Sequence, residues 1–209
     1  MKHPNFNEEK RLKRKGYKFI IGLDEVGRGC LAGPVLAAAV YITNNKFKDK
    51  GIKDSKKLSF RKREQIYNDL MARSDVKWGI GRVSEKIIDK INIFEAAKLA
   101  MKKAVLDLER KMNIKSDFLI LDGNFKIGID TLQKSIIKAD EKVLSCALAS
   151  IIAKVKRDRI MSNYHNRYPD YLFNRNKGYG TKVHIKQIKN NGPCFIHRKT
   201  FFPVKEMIE

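Results

Sequence analysis

Short apolar runs alternate with amphipathic stretches along this chain, and together they predict a sheet with helices packed on it. The runs at residues 19–24 and 35–42 predict strands, and the alternating stretch 76–81 predicts a third strand with one wet face. Between the last two, Ser59 is placed to cap a helix over residues 60–73. The first third of the chain is therefore expected to supply three strands and one helix.

The middle of the chain gives the clearest helical signal. Apolar residues recur at three- and four-residue steps over residues 94–112, a spacing that puts them on one helix face. Short apolar segments at 118–121 and 135–138 predict two more strands, and residues 145–164 predict another helix. Strands followed by alternating helix and strand favour a mixed α/β sheet, and the C-terminal part is expected to be helical fragments and loops.

Acidic residues stand where the predicted strands end. Asp24, Asp122 and Asp140 each follow one of the apolar runs, and Glu25 comes directly after Asp24. Neighbouring side chains within a strand point to opposite faces, so we expect Asp24 to close its strand and Glu25 to sit in the turn. Taken singly, each aspartate is better explained as part of a turn or a helix cap. Because sites in open α/β sheets form beyond the carboxyl ends of strands, we expect the four acids to share one crevice.

Four carboxylates in one crevice repel one another, and divalent cations would relieve that repulsion. Ligands that are all oxygen favour Mg²⁺ or Mn²⁺ over zinc, and two such ions about 4 Å apart suit in-line displacement at phosphorus. The cysteines suggest no alternative kind of site, because they are odd in number and contain no Cys-x-x-Cys pair. This argues against a disulfide scaffold or a structural zinc site and fits a reducing compartment. They are Cys30, Cys146 and Cys194.

The net charge of the chain indicates what kind of partner it binds. The chain has 45 Lys and Arg residues against 23 acids, a formal charge of +22, which favours a polyanionic partner. Nucleic acid is the first candidate and an anionic membrane surface the second, although a lysine-rich coding bias explains part of the excess. The first residues lack the apolar stretch of a secretory signal, and no apolar stretch is long enough to span a bilayer. We therefore expect a cytoplasmic protein without a membrane partner.

Several motifs in this order and spacing resemble the ribonuclease HII family, and the resemblance covers most of the chain. The motifs are Asp24-Glu25-Val26-Gly27-Arg28-Gly29, Asp54-Ser55-Lys56-Lys57-Leu58, Asn92-Ile93, Lys138-Ala139-Asp140, Ser150-Ile151-Ile152-Ala153-Lys154-Val155, Lys177-Gly178-Tyr179-Gly180-Thr181-Lys182-Val183-His184, Gly192-Pro193 and His197-Arg198. Any one of them would be a weak signal, whereas the set is very specific.

The resemblance implies a ribonuclease H-like five-stranded mixed sheet flanked by helices, with a C-terminal helical segment. It implies a single domain over residues 1–209, with a catalytic core at about 18–165 and the C-terminal segment at about 166–209. The implied activity is hydrolysis of RNA within RNA–DNA hybrids and incision 5′ of single ribonucleotides in duplex DNA, leaving 3′-hydroxyl and 5′-phosphate ends. A monomer is expected.

The resemblance also assigns roles to residues. It makes the four acids ligands of Mg²⁺ or Mn²⁺, with two ions in the substrate complex: Asp24, Glu25, Asp122 and Asp140. Its expected substrate-binding residues are Gly27, Arg28 and Gly29 at the 2′-hydroxyl, Lys56 and Lys57 at phosphate, and Tyr179 at the adjoining deoxyribose. From the residues alone, a solvated lysine pair and a half-buried core tyrosine are the alternatives. His184 and His197 lie at no metal-ligand spacing and are expected to be structural or to face DNA.

Three other functions stay open at this point. The related ribonuclease HIII differs by a lysine in place of Arg28 and by an added N-terminal domain; Arg28 is present and little of the chain precedes Asp24. A resolvase-like metal nuclease would share the acids but lack Gly-Arg-Gly and the Gly-Tyr-Gly-Thr turn. A non-catalytic nucleic-acid-binding protein would keep the charge and lose an acid.

Overall fold

The computed structural model describes residues 3–44 and 58–208, and it confirms the expected five-stranded mixed sheet flanked by helices. The strands are β1 Ile20–Val26, β2 Val35–Ile42, β3 Val76–Val83, β4 Phe118–Asp122 and β5 Leu132–Ile136. The helices are α1 Asn7–Arg14, α2 Phe60–Met71, α3 Glu85–Met112, α4 Leu144–Arg167, α5 Phe173–Asn176 and α6 Lys182–Asn191. Within these ranges we find no helix with the length and apolar character that crossing a membrane requires.

The sheet has the strand order β3-β2-β1-β4-β5, so β1 lies at its centre. The pairs β1–β2 and β2–β3 are antiparallel, whereas β1–β4 and β4–β5 are parallel. In the parallel pair Leu23 lies opposite Leu121, which brings the next residues, Asp24 and Asp122, to the same edge of the sheet.

Both faces of the sheet are covered, which explains why β1 and β2 are apolar on both sides. Successive residues of β2 enter different layers: Ala37 and Ala39 pack with α3, and Ala38 and Val40 pack with α2 and α4. This alternation also defines the two faces of β1, because residues opposite each other in an antiparallel pair point the same way.

Helix α3 contains a break that the periodicity did not predict. Asn92 has φ 63°, and its side-chain oxygen accepts hydrogen bonds from the backbone N–H groups of Phe94 and Glu95 at 2.9 and 3.1 Å. The stretch predicted from residue 94 onward is therefore the second, capped half of this helix, and a further helical segment precedes it.

The fifth strand corrects one prediction, because β5 runs over Leu132–Ile136 and only residues 135 and 136 of the predicted stretch 135–138 belong to it. Lys138 has φ 57°, so the chain leaves the sheet before a 3₁₀ turn over Ala139–Glu141. The error has a physical cause. β5 is an edge strand with a half-polar sequence, whereas the apolar Ile137 that suggested a strand is 65% exposed. Asp140 therefore lies in a turn and does not follow a strand.

Helix α4 approaches β1 so closely that the sequence must have glycine at position 22. A Cβ built on Gly22 would lie 2.6 Å from the backbone N of Cys146 and would also overlap Ser145. Two of the three nearest atoms are backbone, the N of Cys146 and the carbonyl carbon of Ser145, so they cannot move aside as the end of a flexible side chain could. This contact sets the distance between α4 and the strand that bears Asp24.

We predict that Gly22→Ala destabilises the protein by about 1–3 kcal/mol, the usual cost of overpacking a tight contact. Gly128→Ala is the matched control, because a Cβ there meets no atom within 4 Å. The free energy of unfolding, measured with denaturant for both variants, checks the prediction. Equal stability of the two variants would contradict the close approach.

Candidate active site

Three carboxylates meet at the edge of the sheet where β1 and β4 lie side by side. An oxygen atom from each of Asp24, Asp122 and Asp140 lies within 4.8 Å of the other two. Asp24 comes from β1, Asp122 ends β4, and Asp140 comes from the 3₁₀ turn before α4. Asp24 and Asp140 are buried, so most of their surface is turned away from water.

Glu25 stands apart from this group, and the predicted turn position is wrong. Strand β1 continues through Glu25 to Val26, because its pairing with β2 extends that far. Asp24 lies opposite Ala38, on the face packed by α4, whereas Glu25 lies opposite Ala37, on the face packed by α3. The two acids therefore point to opposite faces, as strand geometry requires.

The carboxylate of Glu25 still belongs to the same electrostatic neighbourhood. Its Oε1 accepts a hydrogen bond from Nη1 of Arg28 at 3.1 Å. Its Oε2 is buried and has no hydrogen-bond partner among the described residues. Burial raises the pKa of Glu25, and the Arg28 cation opposes that rise. A buried carboxylate oxygen without a donor is a suitable ligand for a cation.

The carboxyl group of Asp24 shows the electrostatic cost of this arrangement. Burial, followed by the charges of Glu25 and Asp122, raises the pKa of Asp24 well above its usual range, while a hydrogen bond from Ser150 opposes the shift. Backbone N–H groups hold the acids in place: that of Glu25 donates to Asp24 and that of Ala139 donates to Asp122, both at 2.8 Å.

These residues fit a hard divalent cation. The group contributes only carboxylate oxygens, which Mg²⁺ and Mn²⁺ prefer, and it brings together like charges that a cation would neutralise. The unpartnered oxygen of Glu25 offers a further ligand next to the group.

A small cleft of about 90 Å³ opens beside Asp24. Two cations, Arg63 and Lys154, line it together with Tyr179. Both cations approach Asp158: Nζ of Lys154 donates to Oδ1 at 2.8 Å, and Nη1 of Arg63 lies 3.9 Å from Oδ2. The lining of the cleft therefore combines acids with cations, a composition suited to a phosphodiester. The sequence did not single out Arg63 or Lys154 as lining residues.

The Gly27-Arg28-Gly29 segment is held from behind by two buried arginines that the sequence did not reveal as functional. Gly27 has φ 94°, and a Cβ there would overlap the Arg157 side chain. The guanidinium of Arg198 donates to the carbonyl oxygens of Gly27 and Arg28 at 2.6 and 2.8 Å. The backbone of this segment is thus fixed while the side chain of Arg28 reaches toward Glu25.

Arg157 extends the same support to the turn that carries Tyr179. Its guanidinium donates to the carbonyl oxygens of Ala32, Pro34 and Lys177 at 3.0, 2.9 and 2.8 Å. Arg157 and Arg198 are both 0% exposed, and every hydrogen bond recorded for them among the described residues goes to backbone carbonyl oxygen. The only sequence signals were the His197-Arg198 pair and a basic residue within the apolar helix α4.

Tyr179 lies directly against this segment. It forms an isolated antiparallel bridge with Cys30, and Leu31 N–H donates to the Gly178 carbonyl at 2.8 Å. Its side chain is 38% exposed, with Nζ of Lys154 5.5 Å from the ring centre. Burial, with the nearby Cys30, raises the pKa of Tyr179 to about 12, so the phenol stays protonated at neutral pH.

The structure describes only one of the two remaining pairs of residues that the sequence singled out. Lys56 and Lys57 fall outside the described residues. His184 and His197 are buried against each other, with their Nε2 atoms 3.1 Å apart, and neither faces a surface where DNA could bind. Of the two possibilities raised for the histidines, the structural one holds.

The family model for ribonuclease HII matches residues 21–204, which include every described residue of this site. The chain belongs to the ribonuclease HII family. A ribonuclease HII of Bacillus subtilis (strain 168) is 48% identical over 202 residues, which cover 96% of this chain and 76% of that protein. One of Desulfotalea psychrophila is 47% identical over 205 residues, covering 98% of this chain and 90% of that protein.

A solved structure shows the same fold. The ribonuclease H2 of Pyrococcus horikoshii OT3 superposes with a TM-score of 0.70 at 27% identity, covering 90% of this chain and 96% of that one. The resemblance suggested by the motifs is thereby confirmed. As a member of the ribonuclease HII family, the protein is an endonuclease of the ribonuclease H class, and this family is dependent on divalent metal.

We predict that Asp24→Asn stabilises the metal-free protein at neutral pH by about 1 kcal/mol, or about 2–4 °C in Tm. The raised pKa of Asp24 means that its ionised form is disfavoured in the folded state, so the neutral amide removes a repulsion. The gain should shrink as the pH falls through the folded-state pKa, because wild-type Asp24 then becomes neutral too.

Thermal unfolding in a chelator and then in Mn²⁺ tests this, with the exposed Asp170→Asn as the control. Mn²⁺ should raise the Tm of the wild type and of the control more than that of Asp24→Asn. An equal rise for all three proteins would show that Asp24 does not bind the ion.

Proposed function

We propose that this ribonuclease HII family member incises duplex DNA 5′ of single embedded ribonucleotides and also hydrolyses the RNA strand of RNA–DNA hybrids. The products would bear 3′-hydroxyl and 5′-phosphate ends. The observation that supports the proposal most directly is the shared cleft: the carboxylates lie beside the Gly27-Arg28-Gly29 segment, and Tyr179 lines the same cleft.

We infer that Asp24, Glu25, Asp122 and Asp140 together hold two Mg²⁺ or Mn²⁺ ions in the substrate complex. Bound divalent ions would activate the attacking water and neutralise charge on the leaving 3′ oxygen. Glu25 leaves β1 on the face opposite to Asp24, and Arg28 already engages its Oε1. We therefore propose that Glu25 takes part in ion binding through Oε2 alone.

The chain's own groups would then select and orient the nucleic acid. Gly27, Arg28 and Gly29 would meet the 2′-hydroxyl, which is a donor and an acceptor and distinguishes RNA from DNA. The ring of Tyr179 would pack on the deoxyribose that follows the ribonucleotide. Lys56 and Lys57 would bind backbone phosphate.

Charge supports a nucleic-acid partner bound along this side of the protein. The net charge of +22 attracts a polyanion, and Arg63 and Lys154 place cations beside the acids where a phosphate would lie. We propose that the chain acts as a monomer, with one domain over residues 1–209. Residues 18–165 would form its catalytic core, and residues 166–209 would supply Tyr179.

The decisive experiment is a cleavage assay on duplex DNA that contains one ribonucleotide. Wild-type protein with Mg²⁺ or Mn²⁺ should give one nick with a 3′-hydroxyl and a 5′-phosphate on the ribonucleotide, and an all-DNA duplex should stay intact. Asp24→Asn should lose activity by orders of magnitude, because a ligand of the reacting centre is gone. Cleavage of the all-DNA duplex, or near-normal activity of Asp24→Asn, would refute the assignment.

Tyr179 gives a sharper prediction about selectivity. A ring packed on a sugar discriminates by shape, so Tyr179→Ala should reduce incision at a single ribonucleotide more than cleavage within a long hybrid. The rate ratio of these two substrates should fall by about tenfold, which corresponds to about 1.4 kcal/mol in activation free energy.

Tyr17→Ala is a suitable control, because Tyr17 precedes β1 at the other end of the sheet and packs on Phe118. Melting temperature must be measured for both variants, since Tyr179 is partly buried. If Tyr179→Ala lost activity equally on both substrates and its melting temperature fell steeply, its role would be structural only.

A further inference from the structure

Two buried histidines join the C-terminal loop to the turn that carries Tyr179. His184 lies in the first turn of α6 and is 0% exposed, and His197 lies in the loop after α6 and is 1% exposed. Their Nε2 atoms are 3.1 Å apart, and both rings pack edge-on against aromatic side chains, His184 on Phe173 and His197 on Tyr171.

The surrounding backbone defines which ring nitrogens carry protons. Nδ1 of His197 lies 2.9 Å from the backbone N of Cys194, whose N–H points at it, and 3.3 Å from the carbonyl oxygen of the same residue. The shorter contact makes Nδ1 the acceptor, which places the proton of His197 on Nε2. Nδ1 of His184 lies 2.8 Å from the carbonyl oxygen of Tyr179, which can only accept, so His184 is protonated on Nδ1.

These two tautomers fit each other. The Nε2–H of His197 donates to the bare Nε2 of His184, so one directed chain runs from Cys194 N–H through both rings to the Tyr179 carbonyl. This hydrogen-bond chain requires both rings to be neutral. A second proton on His184 would set two N–H groups against each other, and one on Nδ1 of His197 would displace the N–H of Cys194. Burial lowers the pKa of His184 and lowers that of His197 to about 4, which agrees with two neutral rings.

The hydrogen-bond chain ends at the carbonyl oxygen of Tyr179, so it acts on the backbone that positions the Tyr179 ring. The Tyr179 carbonyl also accepts from the N–H of Thr181 at 2.8 Å, and the Thr181 side chain caps α6 by accepting from the His184 N–H at 3.2 Å. The His184 ring therefore ties Tyr179, two residues before the α6 cap, to the buried C-terminal loop.

We propose that His184, oriented by His197, is a positioning residue that fixes the Tyr179 turn and thereby supports selection of single ribonucleotides. This inference rests on the proposed role of Tyr179. Packing alone is the competing explanation, because both rings lie in an apolar cluster. Only the positioning role requires hydrogen bonds from the ring nitrogens of His184. A substitution that keeps the shape of the ring and one that keeps a nitrogen donor therefore distinguish the two explanations.

The test compares His184→Phe with His184→Asn. Phenylalanine keeps the ring and its contact with Phe173 but removes both hydrogen bonds, whereas the asparagine amide keeps an N–H donor at the position of Nδ1. The rate ratio for single-ribonucleotide against long-hybrid substrates should fall by about three- to tenfold in His184→Phe, the effect of losing the hydrogen bond to the Tyr179 carbonyl, and by less than half that in His184→Asn. A ratio unchanged by His184→Phe, or lowered equally by both variants, overturns the proposal.

A double-mutant cycle shows whether the effect passes through Tyr179. In a Tyr179→Ala background, His184→Phe should lower the rate ratio no further, since the ring it positions is absent. A further fall in that background would mean that His184 acts by another route and would overturn the proposal. If the wild-type protein failed to incise at a single ribonucleotide, the proposed function itself would be refuted. If the wild type incised normally and only the predicted effects of His184→Phe were missing, the role of His184 alone would be refuted.

A measurement without catalysis completes the test. Proton–nitrogen NMR spectra of the imidazoles at neutral pH should show His184 as the Nδ1–H tautomer and His197 as the Nε2–H tautomer. Two identical tautomers, or a charged ring, would contradict the directed chain whatever the cleavage rates are.

Discussion

The repulsion between the clustered carboxylates is the constraint on which the rest of the structure depends. Asp24, Asp122 and Asp140 are brought within 4.8 Å in a largely buried place, which a flexible chain would avoid. The fold imposes it by placing Asp24 and Asp122 on neighbouring parallel strands and by fastening the Asp140 turn to Asp122 through the Ala139 N–H. The tight approach of α4 to β1 at Gly22 keeps that turn near. The site is therefore a strained arrangement that a bound cation would relieve.

Two buried cations of the protein bond to backbone and not to these acids. Arg157 and Arg198 have no exposed surface, and their guanidiniums donate to carbonyl oxygens of the Gly27–Pro34 segment and of Lys177. Charged donors to neutral carbonyls are strong hydrogen bonds, so a loop without regular structure is firmly held. Positive charge thus shapes the backbone beside the carboxylates.

The sequence predicted an element correctly where neighbouring residues alone determine it, and it failed where pairing with a distant strand does. Strand β2 has the predicted bounds, Val35–Ile42, because eight consecutive apolar or aromatic residues between turn residues specify it locally. Strand β5 was misplaced because its pattern is half polar, and only pairing with β4 makes it a strand. The turn position of Glu25 failed for the same reason, since its pairing opposite Ala37 extends β1. Asp140 was expected in the site both from the apolar run before it and from the Lys138-Ala139-Asp140 motif. It lies with the other two aspartates although the strand predicted before it was misplaced.

The two buried arginines that escaped prediction share one property: their partners are backbone atoms far away in sequence. Arg157 bonds to Ala32, 125 residues away, and Arg198 to Gly27, 171 residues away. A carbonyl oxygen has no sequence signature, because every residue has one. The residue types that carry chemistry can therefore be recognised in a sequence, whereas the groups that hold them in place cannot. The two buried histidines are a further case, since their spacing suggests no metal and their meaning appears only when the Tyr179 carbonyl is found at the end of their hydrogen-bond chain.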